Sequence, residues 1–317
     1  MVTSLCNALA VMVLLQAPDS PPPGDSLAAL RGRAARDSTD AQLWLLMGRA
    51  YFELGSEAHG ATHRGPEDSV WTRAVLDTAE DALQRAAALA GPAGSTTLAD
   101  SARMLRVGTW MARSWLAWET AGIEAGQVAL GPLPTDLRVP AVLEELGENL
   151  LRACPNAGAL FTADAADSYG AWYMRFVRNL RPDLIVIPLA VWRSDRVLRR
   201  RLAADLKLGR RTGDDMLPDL ARHRPVCVSM AFERPPSHMG WDARPLEWVS
   251  GGGPANKSPR VPPRDFVFAA LRLALDQHDP WADPALATYT RAARITRALC
   301  EPLATFKVAA EVPVCKR

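Results

Sequence analysis

The spacing of apolar residues changes in kind once along the chain. Residues 26–131 carry apolar positions at helical spacing, dominated by Ala, Leu, Arg and Glu, and show no alternating strand pattern. Residues 130–140, LGPLPTDLRVP, hold three prolines and a glycine and mark a boundary. Beyond them the period shifts. Residues 142–153 read as a helix, 159–163 as a strand, 169–180 as a helix, 184–191 as a strand apolar on both faces, and 195–208 as an Arg-rich helix. Residues 225–232 give a third strand and 246–249 a short fourth, before helices at 264–277 and 284–305. The fold expected from this pattern is α/β with an α-helical N-terminal domain at 27–131. An α/β domain at 135–317 follows, built on a small, mainly parallel sheet of three to four strands with helices on both faces.

The first residues read differently. Residues 5–17, LCNALAVMVLLQA, are an uncharged apolar run of signal-peptide length followed at once by PDSPPPGD. An export signal at 1–17 and a linker at 18–26 are expected, and with them a periplasmic or extracellular location; a first helix packed on the core is the alternative. No later run is long and apolar enough to cross a bilayer. If Cys6 leaves with the signal, Cys154, Cys227, Cys300 and Cys315 remain, an even number that permits disulfides in three connectivities. Cys300 with Cys315 would tie the tail to the last helix. Cys154 and Cys227 lie at or near predicted strands, where buried free thiols fit as well as a bridge.

One helix of the N-terminal half carries a recognisable spacing. Trp44, Met47, Gly48 and Tyr51 follow W-x2-L-G-x2-Y, with Met in the Leu position, and Ala79, Leu83 and Ala86 give a small, large, small order further on. These residues resemble a tetratricopeptide repeat, in which Gly48 would let the partner helix approach closely. An insertion at 56–73 separates the two helices of that pair. A further pair follows in residues 98–130, whose Trp110, Trp115 and Trp118 read as core filling.

Residues 160–202 carry a second resemblance. Phe161, Thr162, Asp167, Trp172 and Tyr173, then Arg181, Pro182 and Asp183, Leu189 and Asp195 are similar to the soluble C-terminal segment of a bacterial membrane family related to protein O-mannosyltransferases. RPVCVS from Arg224 and PLEWV from Pro245 resemble that family's later strands. The resemblance implies an exported α/β domain. The family's first loop aspartate falls on Ala165 here, and its membrane spans have no counterpart, so its glycosyl-transfer chemistry is not expected.

Candidate chemistry gathers at the strand ends, where α/β folds bind ligands. Asp164 and Asp167 stand three apart after the first strand and could share a metal, a sugar hydroxyl or a proton, which makes them the catalytic candidates. Asp167 or Ser168 also suits the N-cap of a helix from Tyr169, whereas Asp164 has no such task. Arg193 and Arg196 after the second strand could bind an anion, and Glu233 and Arg234 follow the third. Parallel pairing of the three strands would bring Asp164, Asp167, Arg193, Glu233 and Arg234 to one sheet edge.

Composition adds exclusions. The formal charge of +2 comes from near-equal acids and bases, with no basic and aromatic block beyond residues 192–202, so no nucleic-acid partner is expected. The five histidines form no H-E-x-x-H, no cysteine pair is spaced C-x-x-C, and His59 and His63 flank glycines, so neither a metal site nor a cofactor is expected. The glycine-rich 248–259 stretch lacks both nucleotide-binding spacings. The function expected is an exported, non-catalytic binding or assembly protein of the cell envelope that recognises protein or glycan partners. The alternative is a carbohydrate-active or phosphate-ester enzyme centred on Asp164, Asp167 and Arg193. Oligomeric state is not legible in the sequence.

Overall fold

The computed structural model describes residues 27–60, 66–92, 94–209, 213–237, 239–251 and 260–316. The apolar run at 5–17 with Cys6, His63 and most of the glycine-rich stretch lie outside them. The described residues form two compact units, one from the residues up to Arg138 with Ser194–Asp205, the other from Val139–Arg193 with Leu206–Arg317. No helix among them is long and apolar enough to cross a membrane.

The first unit is helical: α1 (Leu27–Arg36), α2 (Ala41–Gly60), α3 (Pro66–Ala90), α4 (Thr97–Leu130) and, from later in the chain, α8 (Arg196–Asp205). Helix α2 runs on to Gly60 and α3 starts at Pro66, so much of the 56–73 insertion is absorbed by lengthening both helices. Ala79, Leu83 and Ala86 are fully buried, and Gly48 meets Leu83 so closely that an added Cβ would fall 2.5 Å from its Cγ. Small residues let the two backbones approach and bury the stripe that includes Met47 and Tyr51. Trp110, Trp115 and Trp118 are buried in α4, as core filling requires. Arg106 is buried with them and donates to Glu80 Oε1 at 2.8 Å and Asp136 Oδ2 at 2.6 Å, fixing the 131–138 segment to α3 and α4.

Residues 98–130 are not two helices joined by a loop but one element broken at Gly122, whose φ of 86° is open to glycine. The break frees a backbone donor and an acceptor, and α8 takes both. Asp205 Oδ2 accepts from Ile123 N at 3.0 Å, and Arg201 Nη2 donates to Ala121 O at 3.0 Å. The Arg-rich helix expected in the α/β domain therefore packs with the helical unit instead.

The second unit holds α5 (Ala141–Ala153), β1 (Ala159–Thr162), α6 (Ala165–Phe176), β2 (Ile185–Pro188), α7 (Leu189–Ser194, whose last residue falls in the first unit), α9 (Leu217–His223), β3 (Val226–Ser229), β4 (Asp242–Arg244) and β5 (Glu247–Ser250). Helices α10 (Ala269–Gln277), α11 (Ala282–Ile295) and α12 (Cys300–Thr305) complete it. The sheet has five strands in the order β2-β1-β3-β5-β4 and is mixed, rather than the mainly parallel three to four strands expected. Its parallel part is β2-β1-β3, with Thr162 opposite Pro188 and Phe161 opposite Val228. Its antiparallel part adds β5 to β3 and β4 to β5. Strand β2 ends at Pro188, which has no N–H to give a ladder, and the apolar residues after it turn into α7.

Two disulfides tie this unit. Cys154 bridges Cys227 over a separation of 73 residues, so the free-thiol reading does not hold. Cys300 bridges Cys315 across 15 residues and fastens the tail. Closing the shorter loop alone constrains the unfolded chain by ~3 kcal/mol.

Candidate functional site

Parallel pairing of β1 with β2 and with β3 puts the segments that leave them at one edge of the sheet. Helix α6 starts at Ala165, four residues earlier than expected, and its N-cap is Asp164. Asp164 Oδ1 accepts from Ala166 N at 3.1 Å and Asp167 N at 3.3 Å. Asp167 reaches back, accepting from Ala163 N and Asp164 N, each at 2.8 Å. The two aspartates form a reciprocal capping box, so the residue expected to have no capping task is the cap itself. The small, apolar Ala165 and Ala166 hid the helix start, because alanine carries no periodic signal by itself.

Asp167 is fully buried. Burial pushes its carboxyl well up from the usual range and the nearby Asp164 charge adds to that, while the Ala163 and Asp164 N–H groups and the Ser229 hydroxyl pull it back. Next to it, the Thr162 and Ser168 hydroxyls share a hydrogen bond of 2.7 Å, and Ser229 Oγ accepts from Ala231 N at 3.1 Å. Each of these polar atoms is spent within the sheet edge. Asp167 is closed off from solvent, so a substrate outside the sheet edge does not reach its carboxyl directly.

Asp164 keeps one outward connection. Its Oδ2 lies 3.6 Å from Arg291 Nη2 of α11, both side chains being about one-third exposed. Arg291 carried no signal in the sequence, since nothing local distinguishes it from the chain's other arginines. Arg193 is exposed near the end of α7, and Glu233 and Arg234 are exposed just beyond β3. Arg196 belongs to the other unit. The geometry therefore joins Asp164 with Asp167 and Arg291.

The R-P-D run has a structural task as well. Arg181, with φ of 53°, donates from Nη1 to Leu151 O at 2.8 Å and to Cys154 O at 3.0 Å, closing the end of α5. Its other edge forms a paired contact with Asp183, which also accepts from Ala157 N at 2.7 Å. Asp183 is held below the usual carboxylate range, chiefly by the Arg181 hydrogen bond.

The residue missed altogether is Glu247. It opens β5, is fully buried, and neither carboxylate oxygen has a hydrogen-bond partner. Burial pushes it well up, with Arg181 and Arg244 pulling the other way. In the β3–β5 register it stands opposite Ser229, the donor to Asp167. The resemblance of PLEWV to a strand placed the segment without marking the glutamate.

Compared with known protein families, curated proteins and solved structures, the chain matches none at a significant level.

Proposed function

We propose that this chain is an exported binding or assembly protein of the cell envelope, whose helical pairs present a recognition surface for a protein or glycan partner. The observation that carries the reading is the capping box: Asp164 and Asp167, the strongest catalytic candidates, hold each other and the start of α6. The enzyme alternative needed both acids on an open pocket, and Asp167 is fully buried, accepting from two backbone N–H groups and the Ser229 hydroxyl. Recognition is supported by the α2–α3 pair, with its tetratricopeptide-like spacing and its Gly48–Leu83 approach. Val70 and Trp71 stay adjacent and exposed on α3, where a large aromatic in water favours a partner. Export is supported by the pairing of four cysteines into two disulfides, the state that an oxidising compartment maintains.

The mature chain, immobilised and challenged with solubilised envelope extract, should retain a defined partner, and Trp71→Ala should weaken that retention by tenfold or more. Retention of nothing specific across several extraction conditions, or equal capture by the Trp71→Ala protein, counts against this surface. Glycan arrays presented to the same chain distinguish a sugar from a protein partner.

A further inference from the structure

A second cluster in the α/β unit has no role in the capping box. Cys154 follows α5, Cys227 lies within β3 and Glu247 opens β5, and their two sulfurs and one carboxylate oxygen fall within 4.8 Å of one another, fully buried. The residues lie 73 and 20 positions apart in sequence, which no ligand motif spans. Neither oxygen of Glu247 has a hydrogen-bond partner. An acid without partners in the interior is costly, and an apolar residue of similar shape would be as stable or more so. Structural need alone does not account for a glutamate aimed at two sulfurs.

We propose that Cys154, Cys227 and Glu247 form a redox-gated site for a thiophilic divalent cation of the Zn2+ class, closed while the disulfide stands and opened by its reduction. Two thiolates and one carboxylate match the donors that hold Zn2+. They fill three tetrahedral positions and leave one for water. The Cα atoms of the two cysteines are 5.9 Å apart, so side-chain rotation can part the sulfurs to the roughly 3.8 Å that two Zn–S bonds of about 2.3 Å require. Two thiolates and a carboxylate carry more negative charge than the cation neutralises. Arg181, which donates to Cys154 O at 3.0 Å, and buried Arg244 both act on the Glu247 carboxyl and offset the excess.

The gating step balances. A small dithiol reductant attacks one sulfur and leaves as its own cyclic disulfide, two electrons pass to the Cys154–Cys227 bond, and two thiols form. Cation binding then releases both thiol protons and the Glu247 carboxyl proton to solvent, so affinity falls as pH is lowered.

The test uses the full chain carrying Cys6→Ser, Cys300→Ser and Cys315→Ser, which leaves this one pair of cysteines. Oxidised protein should bind no Zn2+ here. Protein reduced under anaerobic conditions should bind one Zn2+ per chain by mass spectrometry, and Co2+ in its place should give a thiolate charge-transfer band. Glu247→Gln should lower Zn2+ affinity by tenfold or more, read by competition with a chromophoric chelator, and Cys227→Ser should abolish the Co2+ band. If the reduced chain loses its circular dichroism signal, recovery of that signal on adding Zn2+ supports the site. Failure to recover it, absence of bound Zn2+ in a folded reduced chain, or equal affinity in Glu247→Gln overturns the proposal.

Discussion

Asp167 and Glu247 are both fully buried acids in the same unit, and Ser229 donates to one while standing opposite the other across a strand pair. Burial pushes both carboxyls up. They differ in what surrounds them. Asp167 accepts two backbone N–H groups and a hydroxyl, whereas Glu247 accepts none. The first is a local device, written into a stretch of four residues. The second depends on three distant segments converging, and its surroundings exist only in the folded chain.

The sharpest way to break this contrast is to remove each acid. Asp167→Ala strands two part-buried N–H groups and a hydroxyl and loses half of the capping box, so it should destabilise the chain by ~3 kcal/mol in urea unfolding. An effect within ~0.5 kcal/mol would mean water takes over these donors.

Glu145 supplies an intermediate case and a pH test. It accepts from Ala270 N at 2.7 Å and Leu271 N at 2.9 Å at the start of α10, yet burial still pushes its carboxyl from 4.5 to about 7. With the folded value above the unfolded one, the native state binds more protons between about pH 4.5 and 7. Its contribution is fully present below pH 4.5 and is lost as pH rises through about 7. Asp167 and Glu247 act in the same direction. Stability measured by denaturation should therefore decline across this window, and Glu145→Gln should flatten the slope there. A slope unchanged in Glu145→Gln would assign the decline to the other two acids.

Glu247→Leu, by contrast with Asp167→Ala, removes a buried carboxyl that no hydrogen bond satisfies and should leave the oxidised chain as stable or more stable by ~1 kcal/mol. A loss of ~2 kcal/mol or more would show that Glu247 has partners in solution that the fold does not display. The smallest expected effect belongs to Asp164→Ala, a cap about one-third exposed and worth about 1 kcal/mol, with Asp164→Asn recovering most of it. Thermal or urea unfolding of the three aspartate variants orders them directly.

Much of the fold was legible because it is local. Strand residues 159–162 and 226–229 follow from continuous apolar runs, and helix Ala141–Ala153 from its periodic face. The Gly48–Leu83 approach was readable from a spacing that places small against large. Gly147 of α5 and Gly170 of α6 make an equally close crossing, backbone against backbone, that no motif announced. Strand β4, Asp242–Arg244, was missed because three residues with two charges show no apolar alternation. At the candidate site, Asp164 and Asp167 were found by their place after a strand, but their task was misread because the helix start was set too late. Arg291 and Glu247 were out of reach, since each becomes distinctive only through residues more than a hundred positions away or on a neighbouring strand.

The chain passes between its two units three times, after Arg138, after Arg193 and after Asp205. A fragment ending at residue 138 would lack α8, and with it the partners of Ile123 N and Ala121 O at the Gly122 break. Neither unit is therefore a contiguous gene segment. A protease nick near residue 138 would leave both halves covalently joined through no bond but still threaded by shared structure, since residues 194–205 of the downstream piece complete the upstream one. Gene truncation and proteolytic nicking should thus give different products: the truncated upstream piece misfolds for want of a helix made later, whereas the nicked protein keeps it.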